Sequence, residues 1–573
     1  MMDLFRMIKE KRNQCFISFS IVFFIHFLKF TNYYPNWDSV RFVKTDWTGQ
    51  TGLGRWFAGF THRLLHSPYD LQWIEGIISS IFIALSIMLI LEIFEIRKLL
   101  YIYIATFLFA AFPSMAATFC YMFWAPSYML ALFMSVLATF LCIKQECNKK
   151  TIIISTVLLT FSLGIYQIYY TVAFIIFLYF LANQLLDPSK KIKDYKQPIL
   201  AFTISAILGF VFNYFIMKII LALHQIELSE YQGISHSGMM SLSDYIHSIQ
   251  KMFFSFNYFF FDGLQIKSLI NITCVTVLCL GAIYFLISKK IKTNVKILTF
   301  LFFVLFFAVI NALEFLFPDV NFFRNIDYFF FKYIVLAFKT APYVFINIIF
   351  SLLLIYMLGK IIARDNSLKI QRKILIISLF FTSIPLTYSM HLISSGVSYH
   401  RLMELGIFFI YFIVFLLFEH KASYFTKTTK AYSVLLLIIL CFYHFINNNI
   451  AYKQIEMSYK RTSFETMQIL GEIDRINYGN KNCLAIVGKI PGERDLIIAK
   501  PNITGASTNN FLPTDYHFLR FSEYYFGREF SACSDEQKNE LKNRTDFIEM
   551  PEYPKAGFAK IIDDMIVVKL HNN

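Results

Sequence analysis

The chain alternates long apolar tracts with shorter polar gaps. A membrane-spanning helix needs about 20 apolar residues, and thirteen tracts approach that length. They lie near residues 15–30, 74–94, 98–116, 124–143, 151–164, 168–186, 198–223, 269–288, 297–317, 340–359, 374–389, 402–418 and 431–447. The pattern predicts an all-α polytopic membrane protein whose transmembrane domain covers residues 1–448.

The polar gaps form two classes that alternate along the chain. Seven gaps together hold 24 Lys and Arg residues: 1–14, 95–97, 144–150, 187–197, 289–296, 360–373 and 419–430. Because basic residues are enriched in cytoplasmic loops, these gaps and the N-terminus are predicted to face the cytoplasm. The loops 31–73 and 224–268, and everything after residue 448, are then predicted to lie outside.

The stretch 151–186 could form one long span or two short ones. Its apolar residues are interrupted at Gly164-Ile165-Tyr166-Gln167. A single crossing would place the basic gap 187–197 on the same side as the later long loops, which contradicts the charge pattern. Two short spans are therefore predicted.

From residue 449 the composition becomes that of a soluble protein. We predict a helix over Ile450–Ile476, then short apolar runs at 483–487, 496–499 and 565–570, with helices near 517–526 and 534–542. These elements indicate a small extracytoplasmic α/β domain over residues 449–573. Cys483 and Cys533 both fall in it, and an oxidising compartment would permit a disulfide between them, although the sequence leaves the pairing open.

Composition and missing motifs narrow the function. Hydrophobic residues make up 57% of the chain, mean hydropathy is +0.54, and Phe occurs 67 times, so a bilayer is required. The net charge of +15 comes mostly from the basic gaps that are predicted to face the cytoplasm, so it does not indicate a nucleic-acid site. No Gly-x-x-x-x-Gly-Lys-Ser/Thr loop is present, and no predicted cytoplasmic segment exceeds about 14 residues. Substrates are therefore expected within the membrane or outside it.

The first outer loop carries the densest mixture of aromatic and charged residues. Trp37, Trp47 and Trp56 alternate there with acidic and basic side chains. Indole faces pack on pyranose rings, while carboxylates and guanidinium groups bind hydroxyls and phosphates. The loop is thus a candidate sugar site. The alternative is an interfacial aromatic belt whose charged residues pair only with each other.

Asp38 lies about eight residues after the first span, close to where a lipid headgroup would sit. A sugar joined through phosphate to a polyprenol already has a good leaving group, so transfer needs one base and cations for the phosphate. We predict Asp38 as the base, with Asp46 as a second candidate. Arg55, helped by Arg41, is the predicted phosphate clamp.

A second polar cluster precedes the twelfth predicted span. On a helix, His400 and Glu404 would share a face, with Arg401 one turn from Glu404. We predict that Arg401 contacts phosphate and that His400 and Glu404 contact sugar. The alternative is an internal ion pair that seats the helix. Tyr166 and Gln167 are predicted to line the same cavity, or else to satisfy the helix break.

Several short motifs together carry a resemblance to a known family. They are the aromatic-flanked Asp38, the Gly54-Arg55 pair, the span over Leu71–Leu91, Ala125-Pro126-Ser127-Tyr128 at the start of the fourth span, and Leu163-Gly164-Ile165-Tyr166-Gln167. The last span leading through Asn447-Asn448-Asn449 into an outer helix completes the pattern. The chain resembles the GtrII family of bacterial serotype-converting, O-antigen glucosyl transferases over nearly its whole length.

The resemblance implies a GT-C-like enzyme of the bacterial inner membrane. It would transfer glucose from undecaprenyl-phosphate glucose to O-antigen, or to a related surface glycan, on the periplasmic side. A donor synthase and a flippase of the same pathway are candidate partners. Family members often have two adjacent acidic residues where this chain has Trp37-Asp38, which leaves the acidic role to Asp38 and puts a divalent metal in doubt. We expect no metal and no cofactor.

Two other classes of protein remain open. An O-antigen polymerase or ligase would have a similar number of spans, but we would expect an arginine-rich catalytic loop late in its chain. A lipid-linked glycan flippase or transporter would more often have internal repeats and ionisable residues at mid-span. The predicted spans here are almost free of charge.

Overall fold

The structure is a computed structural model of the chain. It describes residues 6, 9–36, 38–39, 48–66, 71–236, 240–261, 342–364, 369–394, 396–476, 483–488 and 515–571. The helices of the first part are α1 Arg12–Ile25, α2 Phe27–Phe30, α3 Thr48–Gly52, α4 Ala58–Leu65, α5 Gln72–Ile93, α6 Leu99–Ala111, α7 Pro113–Cys120, α8 Ala125–Lys144, α9 Lys149–Ile165, α10 Ile168–Leu185, α11 Lys196–Leu223 and α12 Leu242–Phe261. Those of the second part are α13 Pro342–Arg364, α14 Ile370–Phe381, α15 Ser383–Thr387, α16 Phe408–His420 and α17 Lys427–Arg475.

Seven of the described helices are long and apolar enough to cross a membrane, or eight if the bent pair α6 and α7 counts as one span. Each predicted tract within the described residues coincides with one helix or with two or three consecutive helices. The tracts at 269–288 and 297–317 lie outside the described residues. The count of thirteen spans therefore stays a prediction.

The predicted interruption between α9 and α10 is present. Helix α9 ends at Ile165, Tyr166 is extended with φ −156°, and α10 begins at Ile168. Small and hydroxylated side chains let α9 approach its neighbours closely: the Ser135 and Ser162 hydroxyls are 2.8 Å apart, and a Cβ on Gly209 would lie 3.0 Å from Leu159 Cβ. Close approach through small residues is the usual basis of helix packing in membranes.

Helix α17 is a single helix of 49 residues. The sequence predicted a span and a following helix, and the structure joins them without a break. The three asparagines at the junction support this continuity. The side-chain amides of Asn447 and Asn449 each donate to the carbonyl four residues earlier, and Asn448 donates across to Ala111.

The C-terminal region forms a four-stranded sheet in the order β2-β1-β4-β3. The strands are β1 Cys483–Val487, β2 Ser531–Ala532, β3 Ala559–Ile562 and β4 Met565–Lys569, and the helices are α18 Asp515–Phe526, α19 Asp535–Leu541 and α20 Thr545–Ile548. β1 pairs in parallel with β2 and β4, and β3 pairs antiparallel with β4. The predicted run at 496–499 lies outside the described residues.

Side chains of β4 alternate between two small cores, as the period of two in a strand requires. Ile566 and Val568 pack with α17 and α18, whereas Met565 and Val567 pack on the opposite face with α19 and α20. Cys483 and Cys533 form a disulfide beside β1 and β2. The pairing that the sequence left open is thus present.

The C-terminal region contacts the first loop directly. The hydroxyls of Tyr33 and Tyr525 are 2.5 Å apart, and the rings of Tyr33 and Tyr459 pack edge to face at 6.1 Å. Tyr34 hydrogen-bonds Glu456 of α17. The segment that leads to Asp38 is therefore held from the C-terminal side.

Candidate functional site

Arg55 is positioned by a tight turn between α3 and α4. Gly54 has φ +74°, a conformation that favours glycine, and its Cα approaches Gln167, whose Nε2 would lie 3.3 Å from a Cβ placed there. The turn directs the Arg55 side chain toward α8 and the α9–α10 break. Arg55 Nη1 donates to Gln50 Oε1 at 3.2 Å and, over a longer 3.4 Å, to the Tyr128 hydroxyl.

Arg55 has no acidic partner among the described residues. It forms no ion pair there, and its Nε is buried without a hydrogen-bond acceptor. The guanidinium carbon lies 4.6 Å from the centre of the Tyr166 ring. A cation on an aromatic face is held by the ring quadrupole without being neutralised. Arg55 therefore keeps its full charge and unused donors for an anionic group.

Two tyrosines form the wall behind Arg55. The rings of Tyr128 and Tyr166 stack at 4.5 Å with an interplanar angle of 17°, and both side chains are buried. Tyr166 reaches this position because the break between α9 and α10 frees its backbone from helical geometry. The adjacent Gln167 donates from Nε2 to the Leu53 carbonyl at 3.2 Å. The two residues thus line the site and also bind the Arg55 turn.

Asp38 is an electrostatic neighbour of Tyr128. It is half-buried in a turn in which Asn36 Oδ1 accepts hydrogen bonds from the backbone and the hydroxyl of Ser39. Asp38 is close enough to act electrostatically on the hydroxyls of Tyr121 and Tyr128. Tyr128 is therefore a common neighbour of the predicted base and the predicted phosphate clamp.

The loop before Asp38 is fixed by a buried cation. Lys29 is fully buried, and its ammonium donates to the Tyr34 carbonyl and, at 3.2 Å, to Gln72 Oε1. A buried ammonium is tolerated only where acceptors replace its water. These contacts, with those of Tyr33 and Tyr34 to the C-terminal side, restrict where Asp38 can lie.

Trp56 does not face Arg55. A Cβ on Gly164 would lie 2.6 Å from its indole, and Nε1 donates to Asn213 Oδ1 at 2.9 Å. The Phe161 ring is 5.7 Å away. Trp56 anchors the start of α4 to α9 and α11, so sugar binding by Trp56 stays a prediction that its contacts do not favour.

His400 and Glu404 do not share a helical face as predicted. Residues 401–403 form a 3-10 helix, whose three residues per turn rotate the two side chains apart. His400 lies near Arg55. Partial desolvation by the surrounding protein, and then the positive charge of Arg55, lower the pKa of the His400 imidazole, which favours its neutral form.

Arg401 and Glu404 instead form an ion pair with each other. Arg401 Nη1 lies 3.2 Å from Glu404 Oε2, and the Tyr388 hydroxyl donates to Glu404 Oε1 at 2.9 Å. The guanidinium carbon of Arg401 also lies 5.1 Å and 4.9 Å from the Tyr258 and Phe259 rings. Both charged side chains are buried. The contacts favour the internal ion pair over the predicted phosphate and sugar contacts.

The remaining predicted site residues, Trp37, Arg41, Asp46 and Trp47, lie outside the described residues. Their proposed roles stay predictions. In the described part of the chain, no three His, Cys, Asp or Glu side chains are grouped so that they could hold a metal ion. This finding covers only part of the chain and leaves the expectation of a metal-independent enzyme open.

The sequence model of the family Glucosyl transferase GtrII matches residues 27–338, which is more than half of the chain. The chain belongs to the GtrII glucosyl transferase family. The resemblance seen in the motifs is thereby confirmed, and the family supports a glycosyltransferase. No curated protein and no solved structure matches the chain.

The GtrII match includes Asp38, Arg55 and the two tyrosines that the sequence analysis did not assign to the site, Tyr121 and Tyr128. In the sequence analysis, Tyr128 was named only as part of the motif Ala125-Pro126-Ser127-Tyr128 and was given no role in the site. One signal was nevertheless present: a tyrosine at the first turn of a span needs a partner for its hydroxyl when it is buried. In the structure that partner is Arg55.

Proposed function

We propose that the protein transfers a hexose, most simply the glucose of the family name, from a polyprenyl-phosphate donor to a hydroxyl of a surface glycan. The undecaprenyl-phosphate glucose and O-antigen expected from the sequence are the specific substrates proposed. The carrying observation is that Arg55, which has no described acidic partner, hydrogen-bonds Tyr128, the same tyrosine on which Asp38 acts electrostatically. A phosphate bound by Arg55 would bring the attached sugar toward Asp38.

The proposed reaction is a single displacement with inversion at the anomeric carbon. Asp38 accepts the proton of the acceptor hydroxyl as its oxygen attacks that carbon. The bond between the anomeric carbon and the phosphate oxygen breaks, and the electron pair stays on the polyprenyl phosphate. Arg55 binds the negative charge that develops there. Asp38 then releases its proton to water.

The Tyr166 ring supports this role for Arg55. Because the ring holds the guanidinium by its face, the in-plane N–H groups remain available to phosphate oxygens, which accept them in pairs. The lowered pKa of His400 is consistent with a phosphate-binding role for Arg55. Before the donor binds, a protonated His400 would be a second cation beside Arg55, which is electrostatically unfavourable.

We place this site on the outer face of the bacterial inner membrane, within a GT-C-like transmembrane domain. The alternation of basic gaps supports that orientation. The Cys483–Cys533 disulfide supports an oxidising, periplasmic location for the C-terminal region. A donor with a lipid carrier is consistent with the absence of any long predicted cytoplasmic segment.

The test is the structure of the host surface polysaccharide with and without this protein. Transfer to a finished or growing glycan adds a side-branch hexose, which mass spectrometry and NMR of the repeat unit detect. A changed chain length without a new branch would indicate a polymerase or ligase. An unchanged glycan would contradict the proposal and favour a transporter.

A further inference from the structure

A short segment bridges two loops at the site. This bridging segment, residues 226–236, follows α11. At its start, the Ser229 amide donates to the Gly52 carbonyl at 2.9 Å. The approach is close: a Cβ on Gly52 would lie 3.2 Å from the Glu227 carbonyl oxygen. The bridging segment is thus tied to the loop that positions Arg55.

The other end of the bridging segment is tied to the loop before His400. The Ser394 hydroxyl donates to the Gln232 carbonyl at 2.7 Å, and Gln232 Nε2 reaches the Ser398 carbonyl at 3.3 Å. A Cβ on Gly396 would lie 3.1 Å from the Gln232 carbonyl group. The segment therefore spans from the Arg55 side of the site to the His400 side.

The backbone of the bridging segment is strained where these contacts converge. Gln232 and Gly233 have φ +54° and +70°. Glycine adopts this region freely, whereas a glutamine there is strained because its Cβ approaches the following carbonyl oxygen. Such strain persists only where the surroundings enforce it, and it is concentrated at functional sites. The strained Gln232 directly follows Tyr231 in the bridging segment.

Tyr231 is an exposed ring whose electrostatic neighbours are less exposed tyrosines. It is 55% exposed, whereas Tyr121 and Tyr128, on whose hydroxyls it acts electrostatically, are covered to a much greater extent. Asp38 acts on the same two hydroxyls. The Tyr231 hydroxyl has a donor in its own segment, Gln232 Nε2 at 3.2 Å. The exposed Tyr231 ring and Asp38 therefore have the same two tyrosines as electrostatic neighbours, and the apolar face of the ring remains accessible.

We propose that Tyr231 is the stacking surface for the transferred hexose. This inference rests on the proposed function: it supplies the sugar-binding residue of the same site. A phosphate at Arg55 fixes one end of the donor, and a pyranose ring needs an apolar face to lie on before attack. Tyr231 offers that face, whereas the indole of Trp56, the described tryptophan predicted for this role, is occupied by Gly164 and Asn213.

The test compares two ligands on the full-length protein in lipid nanodiscs. Undecaprenyl-phosphate glucose carries both phosphate and sugar, and undecaprenyl phosphate carries only phosphate. Tyr231→Ala should weaken binding of the glucosyl lipid about tenfold, because stacking contributes on this order, and leave binding of undecaprenyl phosphate unchanged. Tyr231→Phe should bind both as the unmodified protein does. Tyr245→Ala, which removes another partly exposed tyrosine on α12, is the matched control.

The outcomes separate this inference from the function on which it rests. Equal affinity of Tyr231→Ala and the unmodified protein for the glucosyl lipid would overturn the stacking role. Loss of both lipids in Tyr231→Ala would also overturn it, because the bridging segment would then only hold the loops. If the unmodified protein bound neither lipid, the proposed donor itself would be wrong.

Discussion

Arg55 and Arg401 illustrate the difference between a charge that is available to a ligand and one that is already paired. Arg55 lies on the Tyr166 ring, with no acidic partner among the described residues. Arg401 lies on the Tyr258 and Phe259 rings and pairs with Glu404. Both are held by aromatic faces, but only Arg401 is neutralised.

The comparison shows that position in an outer loop does not decide the role of an arginine. A buried ion pair with its hydrogen bonds complete has little left to offer a ligand, and removing one partner leaves an unpaired buried charge. An arginine that is held only by the face of an aromatic ring retains its N–H hydrogen-bond donors. We therefore assign substrate phosphate to Arg55 and helix seating to Arg401, and each assignment predicts a different response to substitution.

The largest expected effect is that of substituting Asp38. Asp38→Asn removes the proposed base and should lower the rate of hexosyl transfer by about a thousandfold or more, in line with the loss of a central general base. Purified protein in nanodiscs with a radiolabelled glucosyl lipid gives the rate. Asp194→Asn, in the segment before α11, is the control. Full activity in Asp38→Asn at normal expression would remove Asp38 from the mechanism.

Substituting the arginines should separate catalysis from stability. Arg55→Ala should lower kcat/KM for the donor about a hundredfold, which corresponds to a few charge-assisted hydrogen bonds, with little change in thermal stability. Arg401→Ala should instead destabilise the fold by about 3–5 kcal/mol, because it leaves Glu404 buried and unpaired. Donor titrations and thermal unfolding of the same preparations measure both quantities. Reversed responses would mean that the two roles have been exchanged.

Replacing both Arg401 and Glu404 tests separately whether Arg401 has a structural role rather than a role in substrate binding. The double variant Arg401→Met with Glu404→Leu removes both charges and keeps apolar volume, and such exchanges of buried pairs are often neutral. We expect transfer within a few-fold of the unmodified protein and an unfolding temperature close to it. A loss of donor binding in a stable double variant would show that Arg401 contacts substrate.

The smallest effect expected is on His400. Because partial desolvation and then Arg55 lower its pKa, Arg55→Gln should raise that pKa, and the imidazole should take up its proton at a higher pH. In the unmodified protein, the stabilising contribution of neutral His400 is complete above the ordinary histidine pKa and declines as the pH falls below it. A histidine NMR titration, assigned with His400→Gln, measures the shift. No change would place Arg55 too far away to act on His400.

Much of the helical architecture follows from the sequence because the bilayer imposes it. Apolar tracts of span length become helices, as all of the described ones do, and charge parity correctly required a break near Tyr166 and Gln167. The sequence also predicted that the last span leads into an outer helix, and the structure joins the two in the single helix α17. The sequence did not reveal the contact that ties this junction to the rest of the fold, in which Asn448 donates a hydrogen bond to the Ala111 carbonyl.

The site was predicted less completely than the fold. Asp38 and Arg55 were singled out because charged residues among aromatics in an outer loop are unusual, and their roles stay predictions. Tyr128 was not singled out, because a tyrosine in an apolar tract resembles a core residue. Its hydrogen-bond partner has to be known before a role in the site can be inferred. His400 and Glu404 were placed on one face because a sequence does not reveal where a 3-10 helix replaces an α-helix.

The most direct test of the account is the affinity of the protein for undecaprenyl phosphate in nanodiscs, measured for the unmodified chain, Arg55→Ala and Arg401→Lys. The account predicts at least a tenfold loss of affinity in Arg55→Ala, about 1.4 kcal/mol, and an unchanged affinity in Arg401→Lys if that variant is folded. Equal affinity in Arg55→Ala and the unmodified protein would contradict the claim that Arg55 binds the donor phosphate.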